Sequence, residues 1–410
     1  MIDSVFDVVL GANVGVSFLA LAALGTVVAS RLARLCDDAC SCDRRYLNQA
    51  QIDEFLSRGV LVIPGALSPE QLQEAREGFH RCLQGHQVGS RICLSYVPQS
   101  HCIALQIAVD DLSTTAGNLA ALSSTHGAGG ILDIFYADWK LKLNENEKFV
   151  GIMQELWAYS YCSDLPYFQH GFEIFNPRRA LMYIDRVCFR LPESICALLG
   201  GKKKNKIQRS LTPHLDCCPQ DVTKFTSGGS VPDSLHKWRP IQAFVALTDT
   251  VERDEGGLEV CPGLHKRFTR WSNFRLASIK RFNEPPPCVG SFTPIRPIED
   301  RDIIRQFEHV PCRAGDLVVW DYRLPHSNAR KNNKNTAREV VYLGFLPDIE
   351  LNRAYAKQQL IDYRHGKNPS DQWVNSDSPP AEDHGDTHLY KFSNLGRKMM
   401  TIENWNYEHL

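Results

Sequence analysis

The segment Thr212-Pro213-His214-Leu215-Asp216 sets an imidazole and a carboxylate two residues apart. In an extended chain, residues i and i+2 point to the same face, so both side chains can reach one ion. A third ligand must come from elsewhere. The turn-and-strand pattern Gly315-Asp316-Leu317-Val318-Val319-Trp320-Asp321 delivers His326 after Leu324-Pro325. Two imidazoles and one carboxylate on one face of a metal leave three coordination positions open, the arrangement used for non-haem Fe(II) chemistry with oxygen. An H-x-D tripeptide by itself says little, because any His near an Asp on a strand satisfies it.

The order of the segments around it says more. Gln242 to Thr250 is an apolar run. It is followed by Glu255-Gly256-Gly257-Leu258 and a Pro-Gly-Leu-His265-Lys266 turn, then by Gly315-Asp316 and the distal His326. Arg338 lies twelve positions past His326 (338 − 326 = 12), at the head of Arg-Glu-Val-Val-Tyr-Leu-Gly-Phe. In these segments the chain resembles the phytanoyl-CoA dioxygenase-like family of Fe(II)- and 2-oxoglutarate-dependent oxygenases. The resemblance runs over about residues 46–347 and includes an opening of helix, strand, Pro-Gly turn and Ser-Pro-Glu helix.

The resemblance implies an α+β fold with a mainly β core, a double-stranded β-helix (jelly roll) flanked by helices. It implies Fe(II) held by His214, Asp216 and His326 as the catalytic centre, with 2-oxoglutarate and O2 as co-substrates. Arg338 then anchors the far carboxylate of 2-oxoglutarate, for which a guanidinium fork is well shaped. Arg330 competes for that role, but it lies four residues after His326 and so falls in the loop. Asn328 stands where relatives carry a small polar residue that helps hold the co-substrate; a turn-forming Asn is the alternative. Arg186 has two readings, a cavity residue near the C1 carboxylate of 2-oxoglutarate or a surface charge. His265 matches a structural turn and is not read as a ligand. The implied reaction is hydroxylation of an aliphatic C–H in a small-molecule or lipid-like substrate, with release of succinate and CO2. Related halogenases lack the carboxylate ligand, so Asp216 favours hydroxylation. Two rivals stand beside this reading: an inactive jelly-roll binding module tethered to a membrane, and a non-oxidative metal enzyme of the cupin type.

The elements that must position these residues are legible in part. Asn48–Leu56 reads as an amphipathic helix ended by Gly59, and Val60–Ile63 as a strand closed by Pro64-Gly65. Ser68, Pro69 and Gln71 form a helix-start signature with a capping box, for a helix running to about Leu83. Phe149–Tyr161 carries a helical apolar pattern. Beyond residue 180 come short β-rich runs at Leu181–Phe189, Ile241–Leu247, Leu258–Cys261, Leu317–Asp321 and Val340–Phe345, the signature of a sandwich or barrel. Cys217–Lys237 and Phe268–Val310 read as long loops over the core, and so as walls of a binding site.

Composition sets outer limits. The 410 residues are 43% hydrophobic, and 46 basic against 47 acidic side chains leave no field that would favour nucleic acid. Fourteen scattered cysteines suit reduced thiols better than a disulfide framework. The uncharged run over residues 8–30 is long enough to span a bilayer. The basic residues that follow it would keep the rest of the chain facing the cytoplasm, anchored and not secreted. The expected organisation is thus residues 1–45 as hydrophobic segment and connector, 46–347 as the dioxygenase domain, and 348–410 as a C-terminal extension.

Overall fold

A computed structural model describes residues 45–85, 107–125, 127–200, 208, 210–232, 235–281, 288, 292–369 and 389–405. The hydrophobic run at residues 8–30 and the polar stretch at 376–386 lie outside the described residues. Among the described residues, no helix is long and apolar enough to cross a membrane.

In chain order the strands are β1 (Val60–Ile63), β2 (Ile131–Leu132), β3 (Ala180–Tyr183), β4 (Val187–Arg190), β5 (His214–Leu215) and β6 (Ile241–Ala246). There follow β7 (Leu258–Val260), β8 (Thr293–Pro294), β9 (Glu308–His309), β10 (Leu317–Asp321), β11 (His326–Asn328) and β12 (Arg338–Pro347). They form two antiparallel sheets. The larger has the order β1-β10-β6-β12-β4-β2, with β3 on the far half of β12; the smaller is β8-β5-β11-β7-β9. The two stacked sheets make the expected jelly roll, left open as a sandwich without closing into a barrel.

Period-two alternation explains the stacking. Along β6, Ala243 and Val245 enter one core with Val319 and Leu343, packed under helical residues such as Phe55, Phe79 and Trp157. Phe244 and Ala246 face the other way and meet Val318, Trp320 and Val340 of the same sheet and Leu215, Leu258 and Val260 of the smaller one. The larger sheet therefore has a helix-covered face and a face turned toward the smaller sheet. The site lies between the sheets.

The helix signals near the start hold. Asn48 caps Gln49–Arg58 in a capping box with Gln51, and Gly59 ends that helix at φ 74°, a left-handed conformation that glycine adopts at no steric cost. Ser68 and Gln71 form the second box, on Pro69–Leu83. The two long connections differ from the expectation. Cys217–Lys237 contains a helix at Pro219–Thr226, and Phe268–Val310 opens with a helix at Phe268–Arg281. The buried side of the second helix carries Ser272 and Arg275, and Arg275 pairs with buried Asp300 at 2.9 Å. Polar residues on the inward face hide the apolar period that marks a helix in sequence.

The described part of the C-terminal extension packs on the larger sheet. Its helix Glu350–Arg364 places Tyr355 and Ala356 against Leu181, Tyr183 and Leu346. Gln359 accepts a hydrogen bond from the Ile184 backbone (2.8 Å) and donates one to the Met182 carbonyl (2.9 Å).

Candidate active site

The smaller sheet brings the three sequence-predicted ligands together. His326 on β11 stands directly opposite His214 on β5, with ring centroids 4.4 Å apart. Asp216, two residues on, turns to the same side. The ligand atoms of His214, Asp216 and His326 all lie within 4.8 Å of one another. The closest approaches are 3.4 Å from His214 Nε2 to Asp216 Oδ1 and 3.6 Å from His326 Nε2 to Asp216 Oδ2. Two ligands at right angles on one ion, each about 2.1 Å from it, stand about 3 Å apart. The cluster therefore fits a single metal with little adjustment.

Both histidines are oriented by the same device. His214 Nδ1 lies 2.8 Å from the Thr212 carbonyl and His326 Nδ1 lies 3.0 Å from the Leu324 carbonyl. In each case the acceptor is two residues upstream. A carbonyl can only accept, so Nδ1 carries the proton and Nε2 presents its lone pair to the metal position. The electrostatics of His326 agree. Burial, followed by the neighbouring His214, pushes His326 down to about 4, so it is neutral as a ligand must be. For His214, burial is the largest influence and opposes the charged form, but the hydrogen bond and charge of Asp216 and the Thr212 carbonyl together outweigh it and the pKa rises. Asp216 is likewise held well below the carboxylate range, since His214, His326 and Arg239 overcome the cost of burial.

Two residues that the sequence reading missed hold Asp216. Gln242 Nε2 donates to Asp216 Oδ2 at 2.7 Å, and Arg239 Nη2 lies 3.9 Å from the same oxygen. Gln242 is a buried polar residue within the otherwise apolar β6, and that anomaly was its available signal.

The triad opens into a cavity of about 840 Å³. Such a volume lies in the upper part of the usual range for small-molecule sites, with room for a five-carbon diacid and an organic substrate together. Arg338 lines it from β12 and is 2% exposed. Its Nη1 reaches Asn328 Oδ1 (3.4 Å) and Cys188 Sγ (3.5 Å), while its guanidinium lies over the Phe244 ring at 5.3 Å. Nε and Nη2 are buried with no hydrogen-bond partner of good geometry among the described residues. Burial disfavours the charge, yet Cys188 and Tyr342 beside it hold the pKa above the ordinary value. A buried, charged fork with two unmet donors fits a carboxylate.

Asn328 is part of this constellation and not a turn residue, since its Nδ2 also donates to the Gly129 carbonyl at 3.3 Å. Arg330 is exposed, and its backbone carbonyl accepts a hydrogen bond from Arg190. Arg186 is no surface charge. It is buried in the cavity wall, with Nε 2.6 Å from Asp133 Oδ1 and Nη2 donating to Ser124 at 3.2 Å. Those two bonds engage two of its three nitrogens within the protein. His265 is structural: its Nε2 meets the Leu56 carbonyl at 3.2 Å and its ring packs on Tyr167 and Phe168. Cys217 and Cys218 are buried free thiols.

Residues 232–339 match the model of the family described as phytanoyl-CoA dioxygenase (PhyH). The matched stretch includes Gln242, His326, Asn328 and Arg338 but begins after His214 and Asp216. A "putative phytanoyl-CoA dioxygenase" from Dictyostelium discoideum is 23% identical over 197 residues, which is 45% of this chain. The aligned part spans half of that relative's length (50%). Among solved structures, the hypothetical protein JW0805 from Escherichia coli superposes with a TM-score of 0.58 at 16% identity, covering 92% of this chain and 91% of that one. GIG2 (DUF1479) from Candida albicans gives a TM-score of 0.51 at 15% identity over 83% of this chain and 88% of its own. These two likenesses concern the fold. The family match over residues 232–339 and the triad in one cavity both support a likeness of this chain to the phytanoyl-CoA dioxygenase family.

Proposed function

We propose that this protein is an Fe(II)- and 2-oxoglutarate-dependent oxygenase that hydroxylates an aliphatic C–H of a small-molecule or lipid-like substrate, with release of succinate and CO2. The observation that carries the reading is Arg338, a buried guanidinium with two unmet donors in the same cavity as a facial His-Asp-His triad. A metal enzyme that uses no diacid has no need of that cation, and a binding module has no need of the triad.

His214, Asp216 and His326 would hold the iron through Nε2, a carboxylate oxygen and Nε2. Iron so held supplies oxygen activation coupled to oxidative decarboxylation of the co-substrate. The chain's own contribution is positional. The Thr212 and Leu324 carbonyls fix both imidazole tautomers, and Gln242 holds one carboxylate oxygen of Asp216 so that the other faces the ion. Arg338 receives the far carboxylate of 2-oxoglutarate, with Asn328 steadying the guanidinium. Trp320, 5.4 Å from His326, and Phe292, 5.1 Å from His214, pack beside the ligands and keep water from them. Residues 8–30 as an anchor, with the catalytic part facing the cytoplasm, complete the proposal. Protease protection of the membrane-associated full chain tests that part.

The chemical test is anaerobic titration with Fe(II) and 2-oxoglutarate, then exposure to oxygen and quantification of succinate. Wild-type protein should form succinate in a metal-dependent way. His214→Ala should abolish it, and Arg338→Ala should weaken co-substrate binding. A folded, iron-loaded wild type that fails to bind 2-oxoglutarate would sink the reading.

A further inference from the structure

Two cysteines meet at the edge of the metal-bearing sheet. β5 pairs antiparallel with β8, His214 opposite Pro294 and Leu215 opposite Thr293. The chain leaving β5 and the chain entering β8 therefore lie at the same end of the strand pair, and each carries a cysteine, Cys218 and Cys288. Just beyond the paired residues, Thr293 Oγ1 donates to the Cys217 carbonyl at 2.8 Å and holds the two chains together.

The two thiols converge on one acceptor. Cys218 Sγ lies 3.1 Å and Cys288 Sγ 3.7 Å from Gln220 Oε1, and the two side chains also hydrogen-bond each other. Both are free thiols. Antiparallel chains held side by side run roughly 5 Å apart, inside the range of about 4.4–6.8 Å between Cα atoms that a disulfide spans. Closing the bond thus needs rotation of two side chains more than movement of backbone. The partners are unequal: Cys218 is 8% exposed, whereas Cys288 is only partly buried. The hydrogen bond from Cys218 also draws the Cys288 thiol below its ordinary pKa. An accessible thiol of lowered pKa with a second thiol behind it is the arrangement of redox-sensing cysteines. Cys217, by contrast, turns its sulfur toward the Tyr322 carbonyl at 3.9 Å.

The place of the pair gives a bond there a consequence. Cys218 is the cap residue of the helix Pro219–Thr226, whose Asp221, Val222 and Phe225 line the cavity. Phe292, between Cys288 and β8, packs on the ring of His214. We infer that Cys288 and Cys218 form a redox modification site, at which hydrogen peroxide converts the two thiols into a disulfide that fastens this helix to the Phe292 side of the cavity wall. Cys288 sulfur attacks one peroxide oxygen, the O–O bond breaks and water leaves, giving a sulfenic acid. Cys218 sulfur then attacks that sulfur, the S–O bond breaks and a second water leaves. The thiols have together lost two electrons and two protons, and the peroxide is reduced to two waters. A dithiol reductant reverses the step by exchange.

The test uses the full chain without metal, so its outcome is independent of the oxygenase reading. Protein treated with hydrogen peroxide is alkylated, digested without reduction and mapped by mass spectrometry. A peptide pair joined through Cys218 and Cys288, two hydrogens lighter than its separate halves, should appear and be lost on dithiothreitol treatment. Cys217→Ser should still give it, which assigns the bond to Cys218. Cys218→Ser should give none and should instead accumulate Cys288 sulfenic acid, trapped by dimedone, a result that loss of folding alone would not produce. Hydrogen exchange of the helix Pro219–Thr226 should slow in the oxidised chain and recover on reduction. Cys288 left unoxidised in the folded chain, at a peroxide dose that oxidises it in urea, or joined to a cysteine other than Cys218, overturns the site. Unchanged exchange in the cross-linked chain overturns the fastening of the wall.

Discussion

The two ends of the cavity treat positive charge in opposite ways. At the β12 end, Arg338 is almost fully buried, and among the described residues two of its three nitrogens donate to no hydrogen bond of good geometry. At the β6 entry, Arg186 and Arg239 are clamped by Asp133 and Asp185 at 2.6 Å each, and Lys237 lies over aromatic rings. A cation with unmet donors in a dry place is incomplete without a ligand, because each buried donor left unpaired costs about 1–3 kcal/mol. A cation clamped by a carboxylate is already part of the frame. The difference separates residues that wait for a small molecule from residues that shape the wall, a distinction that residue type alone does not make.

The largest effect should come from the ion between the two ends. His214→Ala or Asp216→Ala should abolish metal-dependent succinate formation, while circular dichroism stays that of the folded chain. Next, Arg338→Ala should raise the 2-oxoglutarate Kd about a hundredfold, roughly the 3 kcal/mol of a bidentate charge-assisted pair. Lys at that position should recover only part of it, because an ammonium lacks the fork. Arg186→Gln should show the reverse profile. Breaking its buried pair with Asp133 should cost about 3 kcal/mol of stability in denaturant unfolding, with little change in 2-oxoglutarate affinity. A large loss of co-substrate binding in that variant would merge the two ends and undo the comparison.

A smaller effect is expected at Gln242. Its Leu variant frees the second oxygen of Asp216 and should weaken metal binding about tenfold, as removal of a residue that orients a ligand does. Equilibrium dialysis with Co(II) would measure it. The smallest effect concerns a histidine outside the metal cluster. Burial holds His265 down to about 4, against an ordinary 6.5. The unfolded chain therefore binds a proton more readily than the folded one. The stability His265 contributes is complete above pH 6.5 and is lost as pH falls from 6.5 toward 4. His265→Gln should flatten that acid slope in thermal unfolding and leave Co(II) binding intact.

Much of the site was legible in the residues because its parts are local or ordered along the chain. An i, i+2 His and Asp must share a face of an extended strand, while His326 follows one recognisable strand pattern and Arg338 heads another. The capping boxes at Asn48 and Ser68 were legible for the same reason, since each is completed within four residues. The helix at Phe268–Arg281 was not, because Arg275 on its buried face gains its partner Asp300 only when the chain folds back.

The sequence by itself thus determined the ligand types, their order and the helix starts, all set by short-range spacing and backbone chemistry. Only the tertiary structure decided which charges are complete. Arg338, Arg186 and Arg239 are chemically identical side chains. All three line the same cavity, but folding brought Asp133 and Asp185 to two of them and no carboxylate among the described residues to the third, and charge pairing depends on distances between residues far apart in the chain.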